Sequence, residues 1–425
     1  MVCRTVAGPQ GHLFPQGALY HGDNLEVLRE HVEDESVDLV YLDPPFNSQR
    51  DYNVIHRDDG AEESPALVRA FVDSWQWSPE AHAAYRRLVS TDASERGVSA
   101  RLTGLVESLH TFLGPSNLLA YVAMMAERLV ALHRALRPTG SLYLHCDPTA
   151  SHYLRLLLDA IFGQDRFRNE IVWKRSSAHS DGKQGARHFG RVSDSILFYA
   201  KSEASTWNTQ YVPYDARYIA ENYKRRDPDG RLYRISDAQG PGGAAKGNPR
   251  YEFLGVTRHW RYSRERMQEL HEQGRIVQTR PGAVPQYKRY LDEMPGVPLQ
   301  SLWTDIPVIN NRSKEHLGYP TQKPVALLER ILATSSSPGD VVLDPFCGCG
   351  TTLEAAQRLG RKWIGIDIAR VAIDIIEQRL TKIGAVRGVE LVVTGEPHDV
   401  PGPEAIPHPG IARAGLRRTY RAMGD

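Results

Sequence analysis

Asp43-Pro44-Pro45-Phe46 and Asp344-Pro345-Phe346-Cys347-Gly348-Cys349-Gly350 are the two stretches of this chain whose residue types and spacing could do chemistry. Each opens on a carboxylate that ends a short apolar run, Val37 to Leu42 in the first case and Val341 to Leu343 in the second. In the second stretch Gly348 and Gly350 stand between that run and a helical pattern starting at Thr351. A glycine turn at such a junction lets the backbone close on a ligand. Further on, the run from Trp363 to Ile366 ends in Asp367, a carboxylate able to accept two hydrogen bonds from ribose hydroxyls. Taken alone, these features suit a nucleoside-bearing cofactor, with a nicotinamide dinucleotide as one candidate. In the first stretch Pro44 and Pro45 fix the turn that carries Asp43, so acceptor oxygens there can converge without reorganisation. The plainer reading of that tetrapeptide is a polar turn after a strand, with Phe46 buried.

The elements that must position these residues alternate between strand and helix. Val37 to Leu42 reads as a buried parallel strand. Asn117 opens a helix with Leu118, Val122, Met125, Leu129, Leu132 and Leu136 on one face, closed by Arg137-Pro138-Thr139-Gly140. Ser141 to Cys146 is the next strand, and Thr149 to Phe162 a helix with Leu154, Leu157, Leu158 and Ile161 inward. Near the end come strand Val341 to Asp344, helix Thr351 to Leu359, strand Trp363 to Asp367 and helix Arg370 to Leu380. This rhythm predicts an α/β fold, a doubly wound and mostly parallel sheet with its ligands at the strands' C-terminal ends.

Three stretches break the rhythm. Residues 47–116, with Trp75 and Trp77, read as an insertion above the site. Residues 175–311, broken at Gly240-Pro241-Gly242-Gly243 and Pro281-Gly282, read as a separate mixed module. Beyond Ala385 the chain is rich in Pro and Gly and ends in Arg413, Arg417, Arg418 and Arg421, a tail expected to be disordered and able to touch phosphates.

Composition narrows the class. The 425 residues, 41% hydrophobic, can bury one large core plus an appended module. No apolar run approaches the roughly 18 residues that span a bilayer, and a soluble, cytoplasmic protein without membrane contact is expected. Cys3, Cys146, Cys347 and Cys349 supply no second pair to complete a zinc site, so no metal is assigned. The net charge of +1 is unevenly spread, with +9 between Arg168 and Lys314 and −8 elsewhere. A basic module on an acidic body fits a nucleic-acid partner, although a solvated basic face would look the same.

The two stretches, in this order, resemble the catalytic and cofactor-binding motifs of DNA amino-methyltransferases of the permuted beta group, similar to restriction-modification methyltransferases. The resemblance covers Ala18 to Leu380, apart from the insertion after Asn47. It implies a Rossmann-like methyltransferase fold in permuted order. Residues 18–174 would be the catalytic half, with the insertion at about 48–116; 175–311 the target-recognition module; 312–384 the cofactor half; and 385–425 the tail. S-adenosyl-L-methionine is the implied cofactor. Asp344 would face its methionine amino group, backbone around Phe346, Cys347, Gly348, Gly350 and Thr351 would line its pocket, and Asp367 would hold its ribose. Thr321-Gln322-Lys323-Pro324 resembles the segment that closes over the methionine end, and is also a helix start with an early proline. Asp23, in Gly22-Asp23-Asn24-Leu25, resembles an acidic residue near the cofactor and equally suits a helix N-cap. Leu144-His145-Cys146-Asp147-Pro148 stands at a strand end nearby and is read as supporting structure.

The resemblance also implies the reaction. An exocyclic base amine is a poor nucleophile because its lone pair is delocalised, and two acceptors aimed at its N–H bonds favour the tetrahedral geometry needed for attack. The Asp43 carboxylate and the Pro44 carbonyl would be those acceptors, held by Pro45, with Phe46 stacking on an extruded base. Transfer would be direct, without a covalent enzyme intermediate or a metal.

Aspartate at the first motif position marks N6-adenine enzymes in this family, whereas serine more often accompanies N4-cytosine. RNA and protein glutamine are the other planar-amine targets; the glutamine enzymes carry asparagine there, which this chain lacks. Trp260-Arg261-Tyr262-Ser263 and Gly274-Arg275-Ile276 resemble recurring elements that shape the module, while Arg225, Arg226 and Arg258 are candidates to read base edges. Expected partners are double-stranded DNA, a second copy of the chain, and a cognate restriction or defence-system subunit. A nicotinamide-dependent oxidoreductase and a DNA-binding protein with a vestigial site are the competing readings.

Overall fold

A computed structural model describes residues 16–45, 76–176, 187–310 and 312–384 in full, and 50–55, 67–73, 389–393 and 417–420 as backbone. The chain divides into two compact units, one formed by residues 1–208 and 300–425 and the other by Thr209–Leu299.

The larger unit is built on a ten-stranded sheet in the order Leu302–Trp303, Phe167–Lys174, Ser193–Ala200, Leu136–Cys146, Val37–Leu42, Val341–Asp344, Lys362–Asp367, Gly17–His21, Val389–Val393, Arg417–Tyr420. Ser193–Ala200 runs antiparallel to both neighbours, and every other adjacent pair is parallel. From Val37–Leu42 the chain winds towards Leu136–Cys146, and from Val341–Asp344 it winds the other way, towards Lys362–Asp367. The junction of these adjacent strands is a topological switch point, where an open α/β sheet leaves a crevice at its C-terminal edge.

The continuous apolar run Val37–Leu42 is buried at every position, as a central parallel strand requires. Its one charged residue, Asp38, accepts from Val341 N at 2.9 Å and from the Arg137 guanidinium at 2.8 and 2.9 Å, tying the starts of three strands together. The expected turn at Arg137-Pro138-Thr139-Gly140 is instead the opening of strand Leu136–Cys146. Pairing jumps from Val37↔Leu136 to Leu39↔Ser141, so the four residues are accommodated as an irregularity rather than a separate loop.

Helix Asn117–Ala135 is capped by the Ser116 hydroxyl, which accepts from Leu119 N at 3.3 Å. The pattern predicted one inward face, yet this helix is buried on nearly all sides. The reason lies in the segment read as an insertion: helices Pro79–Val89 and Ala100–Leu113 bury Leu88, Leu102 and Val106 in the same core. That part of the segment is built into the larger unit. Trp77 packs against Tyr85 and His110, while Trp75 lies outside the described residues. Phe167–Lys174, Ser193–Ala200 and Leu302–Trp303 likewise belong to the large sheet, so the second compact unit is narrower than the 175–311 stretch. In the tail read as disordered, Val389–Val393 and Arg417–Tyr420 extend the sheet; Arg413 and Arg421 lie outside the described residues.

The smaller unit holds an antiparallel sheet in the order Ile276–Val277, Gln286–Tyr290, Leu232–Asp237, Arg225–Arg226, beside the hairpin Arg250–Phe253/Val256–His259. Its core gathers Tyr251, Phe253, Trp260, Met267, Leu270 and Ile276. The Trp260 indole donates to Tyr251 O at 2.8 Å, and Ser263 caps helix Arg264–Glu272. Gly274, at φ 69°, lets the chain leave that helix towards Ile276. The two recurring elements therefore shape this unit, as expected. Among the described residues no helix is long and apolar enough to cross a membrane, and no group of three or more His, Cys, Asp or Glu could hold a metal ion.

Leu343 is fully buried at the switch point. Leu343→Ala is expected to cost about 2–5 kcal/mol, seen as a lowered urea midpoint with little change in slope.

Candidate active site

At the C-terminal ends of Val37–Leu42 and Val341–Asp344 lies a cavity of about 400 Å³, within the usual range for small-molecule sites. It is lined by Asp43, Pro44, Pro45 and Lys323, by the loop from Asp344 to Cys349, and by Asp23, Thr351 and Asp367; Gly350 is not part of the lining. Residues 300 positions apart in sequence thus share one wall, because the two strands that carry them are paired with Leu39 opposite Val342 and Val40 opposite Leu343. Phe46 lies outside the described residues. Pro324 is at the N-cap position of helix Val325–Ser335, next to Lys323 in the cavity wall.

The loop after Val341–Asp344 is locked by its own carboxylates. Asp344 Oδ1 accepts from Phe346 N at 3.1 Å and Oδ2 from the Thr352 hydroxyl at 2.5 Å. Asp367 Oδ2 accepts from Gly348 N at 2.8 Å and Oδ1 from Ala369 N at 2.8 Å. Asp367 therefore also braces the glycine loop, and only its remaining lone pairs are open to a ribose. Gly348 and Gly350 sit at φ 51° and 76°, where glycine is at ease. A Cβ on Gly350 would meet Ile376 at 2.8 Å, and one on Gly348 would meet the Tyr319 ring at 3.3 Å. From beneath, the buried Arg379 donates to Cys349 O at 3.0 Å and Thr351 Oγ1 at 3.1 Å and pairs with Glu354. Cys347 and Cys349 are buried free thiols whose burial holds them protonated.

Asp43 meets the Lys323 ammonium through Oδ2. Its Oδ1 is buried and has no hydrogen-bond partner. Lys323 belongs to a loop that holds itself together: Gln322 accepts from Leu317 N at 2.9 Å and donates to Glu315 O at 2.7 Å, while Glu315 accepts from Val325 N at 2.5 Å. Thr321 takes φ 66°, a left-handed conformation uncommon for a residue with a branched side chain. On the opposite wall Asp23 caps helix Asn24–His31, accepting from Leu25 N at 2.8 Å, and also pairs with Arg128 at 2.8 Å. Arg128 donates to Asn24 Oδ1 at 2.5 Å, and Asn24 donates to Pro345 O at 2.7 Å, linking the N-terminal helix to the cofactor-type loop.

Sequence reasoning missed Arg128, Asn24, Tyr319 and Arg379. Arg128 carried a readable signal, a lone cation in the apolar stretch from Tyr121 to Leu132. Tyr319 and Arg379 had none, because their roles depend on what packs beside the glycine loop.

The residues present fit a nucleoside cofactor bearing a cationic head. The glycine loop leaves a cradle that a Cβ would fill, four carboxylates face one cavity, and one carboxylate oxygen is orphaned. Burial raises the Asp344 carboxyl to about 7, with Asp43 and Asp367 adding to it against the hydrogen bonds from Thr352 and Phe346. Burial likewise raises Asp367 to about 6, against backbone hydrogen bonds from Ala369 and Gly348. A raised carboxyl binds its proton more tightly in the folded chain, so its stabilisation is complete below about pH 4 and is lost as pH rises through the folded value. Wild-type protein, free of ligand, is expected to lose stability relative to Asp344→Asn as pH rises from about 4 to about 7.5. Urea titrations of both proteins across that range would read the difference.

Comparison with known proteins places the chain. Residues 37–378 match the model of the N6/N4 DNA methylase family. The type II methyltransferase M.EcaI of Enterobacter cloacae is 31% identical over 370 residues, 86% of this chain and 70% of that enzyme. The Mod subunit of the type III restriction-modification enzyme StyLTI of Salmonella typhimurium is 26% identical over 359 residues, 80% of this chain but only 50% of that subunit. The DNA adenine methyltransferase YhdJ of Escherichia coli is 24% identical over 350 residues, 82% of this chain and 78% of that protein. The chain belongs to the N6/N4 DNA methylase family, whose methyl donor is S-adenosyl-L-methionine.

Proposed function

We propose that this protein methylates the exocyclic N6 amine of adenine at a specific site in double-stranded DNA, acting on a base turned out of the helix. The observation that carries the reading is the buried, unpartnered Oδ1 of Asp43 at the edge of the cavity. An unpaired buried acceptor is costly unless something donates to it in the working complex. An amine N–H supplies that donor.

S-adenosyl-L-methionine, when bound, supplies an electrophilic methyl group on a sulfonium. Asp344 and Asp367 would hold its methionine and ribose ends, Cys347 to Thr351 would line its pocket, and Lys323 and Pro324 would close over it, with Asp23 beside them. Asp43 Oδ1 accepts one amine N–H and the Pro44 carbonyl the other, so the nitrogen lone pair turns out of the base plane towards the methyl carbon. Pro45 holds the turn, and Phe46 stacks on the base. Lys323 on Oδ2 keeps the carboxylate oriented while Oδ1 receives the substrate.

Adenine is favoured by the aspartate at the first motif position and by the adenine methyltransferase among the relatives. The smaller unit serves as the DNA-reading module: it carries 16 Lys and Arg against 11 Asp and Glu, and Arg225, Arg226 and Arg258 are exposed on its strands. The relative that is a Mod subunit points to a cognate restriction subunit as partner, with a second copy of the chain as the other.

Incubation with unmethylated genomic DNA and S-adenosyl-L-methionine, followed by nucleoside mass spectrometry, should yield N6-methyladenine; N4-methylcytosine would keep the mechanism and change the base. Asp43→Ala should lower transfer by about 10²-fold or more with cofactor binding near wild type, and an active variant would sink the assignment. A vestigial site would bind cofactor and DNA yet transfer nothing. Arg225→Ala should weaken binding to the cognate site by about 1–3 kcal/mol and relax discrimination at one base position.

A further inference from the structure

Behind Asp43 a file of buried polar side chains leads away from the cavity. Tyr41 lies on Val37–Leu42, two residues before Asp43, which follows the strand's end. Tyr41 lines the cavity. Its hydroxyl is 2.9 Å from Nδ1 of His145 on the neighbouring strand Leu136–Cys146. The other ring nitrogen, Nε2, is 3.2 Å from Oδ2 of Asp194 on Ser193–Ala200. Tyr41, His145 and Asp194 are 2%, 0% and 4% exposed. The Trp173 ring meets the imidazole edge-on at 5.8 Å, and Arg175 Nε stands 3.4 Å from Asp194 Oδ1.

The direction of these hydrogen bonds follows from charge. Burial opposes ionisation of Asp194, but the hydrogen bond from His145 and the charges of Arg175 and Lys323 act against it, and its pKa is lowered. A carboxylate only accepts, so Nε2 carries the ring proton. In a neutral ring Nδ1 is then the acceptor, and the Tyr41 hydroxyl donates to it. That hydroxyl proton is spoken for, which leaves the lone pairs of the Tyr41 oxygen to receive another. The arrangement follows the logic of a nucleophile or base backed by a histidine and a carboxylate.

We propose that Tyr41 is a catalytic residue that takes the proton released by the amine as it is methylated, with His145 and Asp194 as positioning residues acting through it. This rests on the amine-methylating reading above. As the nitrogen–carbon bond forms, the carbon–sulfur bond breaks and its electron pair stays on sulfur, leaving the nitrogen with a positive charge and one proton too many. That proton passes to the Tyr41 oxygen while the Tyr41 hydroxyl proton passes to Nδ1 of His145. The products are a neutral methylated amine and an imidazolium beside the Asp194 carboxylate. When the cavity empties, the imidazolium returns its proton by the same route to water. Asp43 then needs to act only as an acceptor of hydrogen bonds, consistent with its ion pair to Lys323.

Two measurements on full-length protein test this. In cofactor-free, ¹⁵N-histidine-labelled protein, His145 should show a protonated Nε2 and an accepting Nδ1; Tyr41→Phe should remove the hydrogen bond at Nδ1, and Asp194→Asn should move the ring proton. The same spectra report whether each variant is folded. In single-turnover assays Tyr41→Phe should slow methyl transfer by about 10²-fold, with dissociation constants for S-adenosyl-L-methionine and DNA close to wild type. A protonated Nδ1 in the wild type, or a Tyr41→Phe variant that transfers at the wild-type rate, overturns the relay while leaving the methyltransferase reading intact. A wild-type protein that transfers no methyl group to DNA overturns that reading, and the relay with it.

Discussion

The parallel pairing of Val37–Leu42 with Val341–Asp344 is the constraint on which the site depends. These strands are separated by some three hundred residues, yet each carries its carboxylate at the same edge of the sheet, and winding in opposite directions from their junction opens a crevice there. Asp38 secures the start of this pairing through Val341 and Arg137, and Leu343 buries its centre. Shifting one strand by a single residue would turn its side chains to the other face and separate Asp43 from Asp344.

Electrostatics follows from that geometry. Bringing Asp43, Asp344 and Asp367 to one water-poor cavity disfavours ionisation of the buried pair, and the carboxyls of Asp344 and Asp367 rise accordingly. The fold answers with local donors rather than with a metal cluster among the described residues: Thr352, Phe346 N, Gly348 N and Ala369 N for those two, and Lys323 for Asp43. A cationic ligand completes what these donors leave unfinished. The same cavity then favours a positively charged sulfonium and leaves Asp43 Oδ1 as the acceptor still in need of a donor.

Support for the site comes from further away than its motifs. Arg379 and Glu354 brace the glycine loop from below, Asn24, itself held by Arg128, donates to Pro345 O from the side, and the Glu315–Gln322 loop holds Lys323. Helices Pro79–Val89 and Ala100–Leu113 enclose Asn117–Ala135, the helix that carries Arg128. Rigid surroundings of this kind keep catalytic groups close to their working geometry.

By itself the sequence determined the alternating elements, the two carboxylate-bearing turns and the glycines between strand and helix. Each of those is written in local pattern: apolar runs, proline in a turn, glycine at φ above zero. Val37–Leu42 and Val341–Asp344 were legible to the residue. Tertiary structure alone decided which strands became neighbours, and therefore that Lys323 meets Asp43, that Tyr41 reaches His145 and Asp194, and that Arg379 lies under Cys349. Nothing local marks such contacts, because they join residues from different strands and helices. It also decided that Arg137 to Gly140 join a strand and that the 76–116 segment enters the core, since burial against distant partners outweighs the turn and surface signals those residues carry.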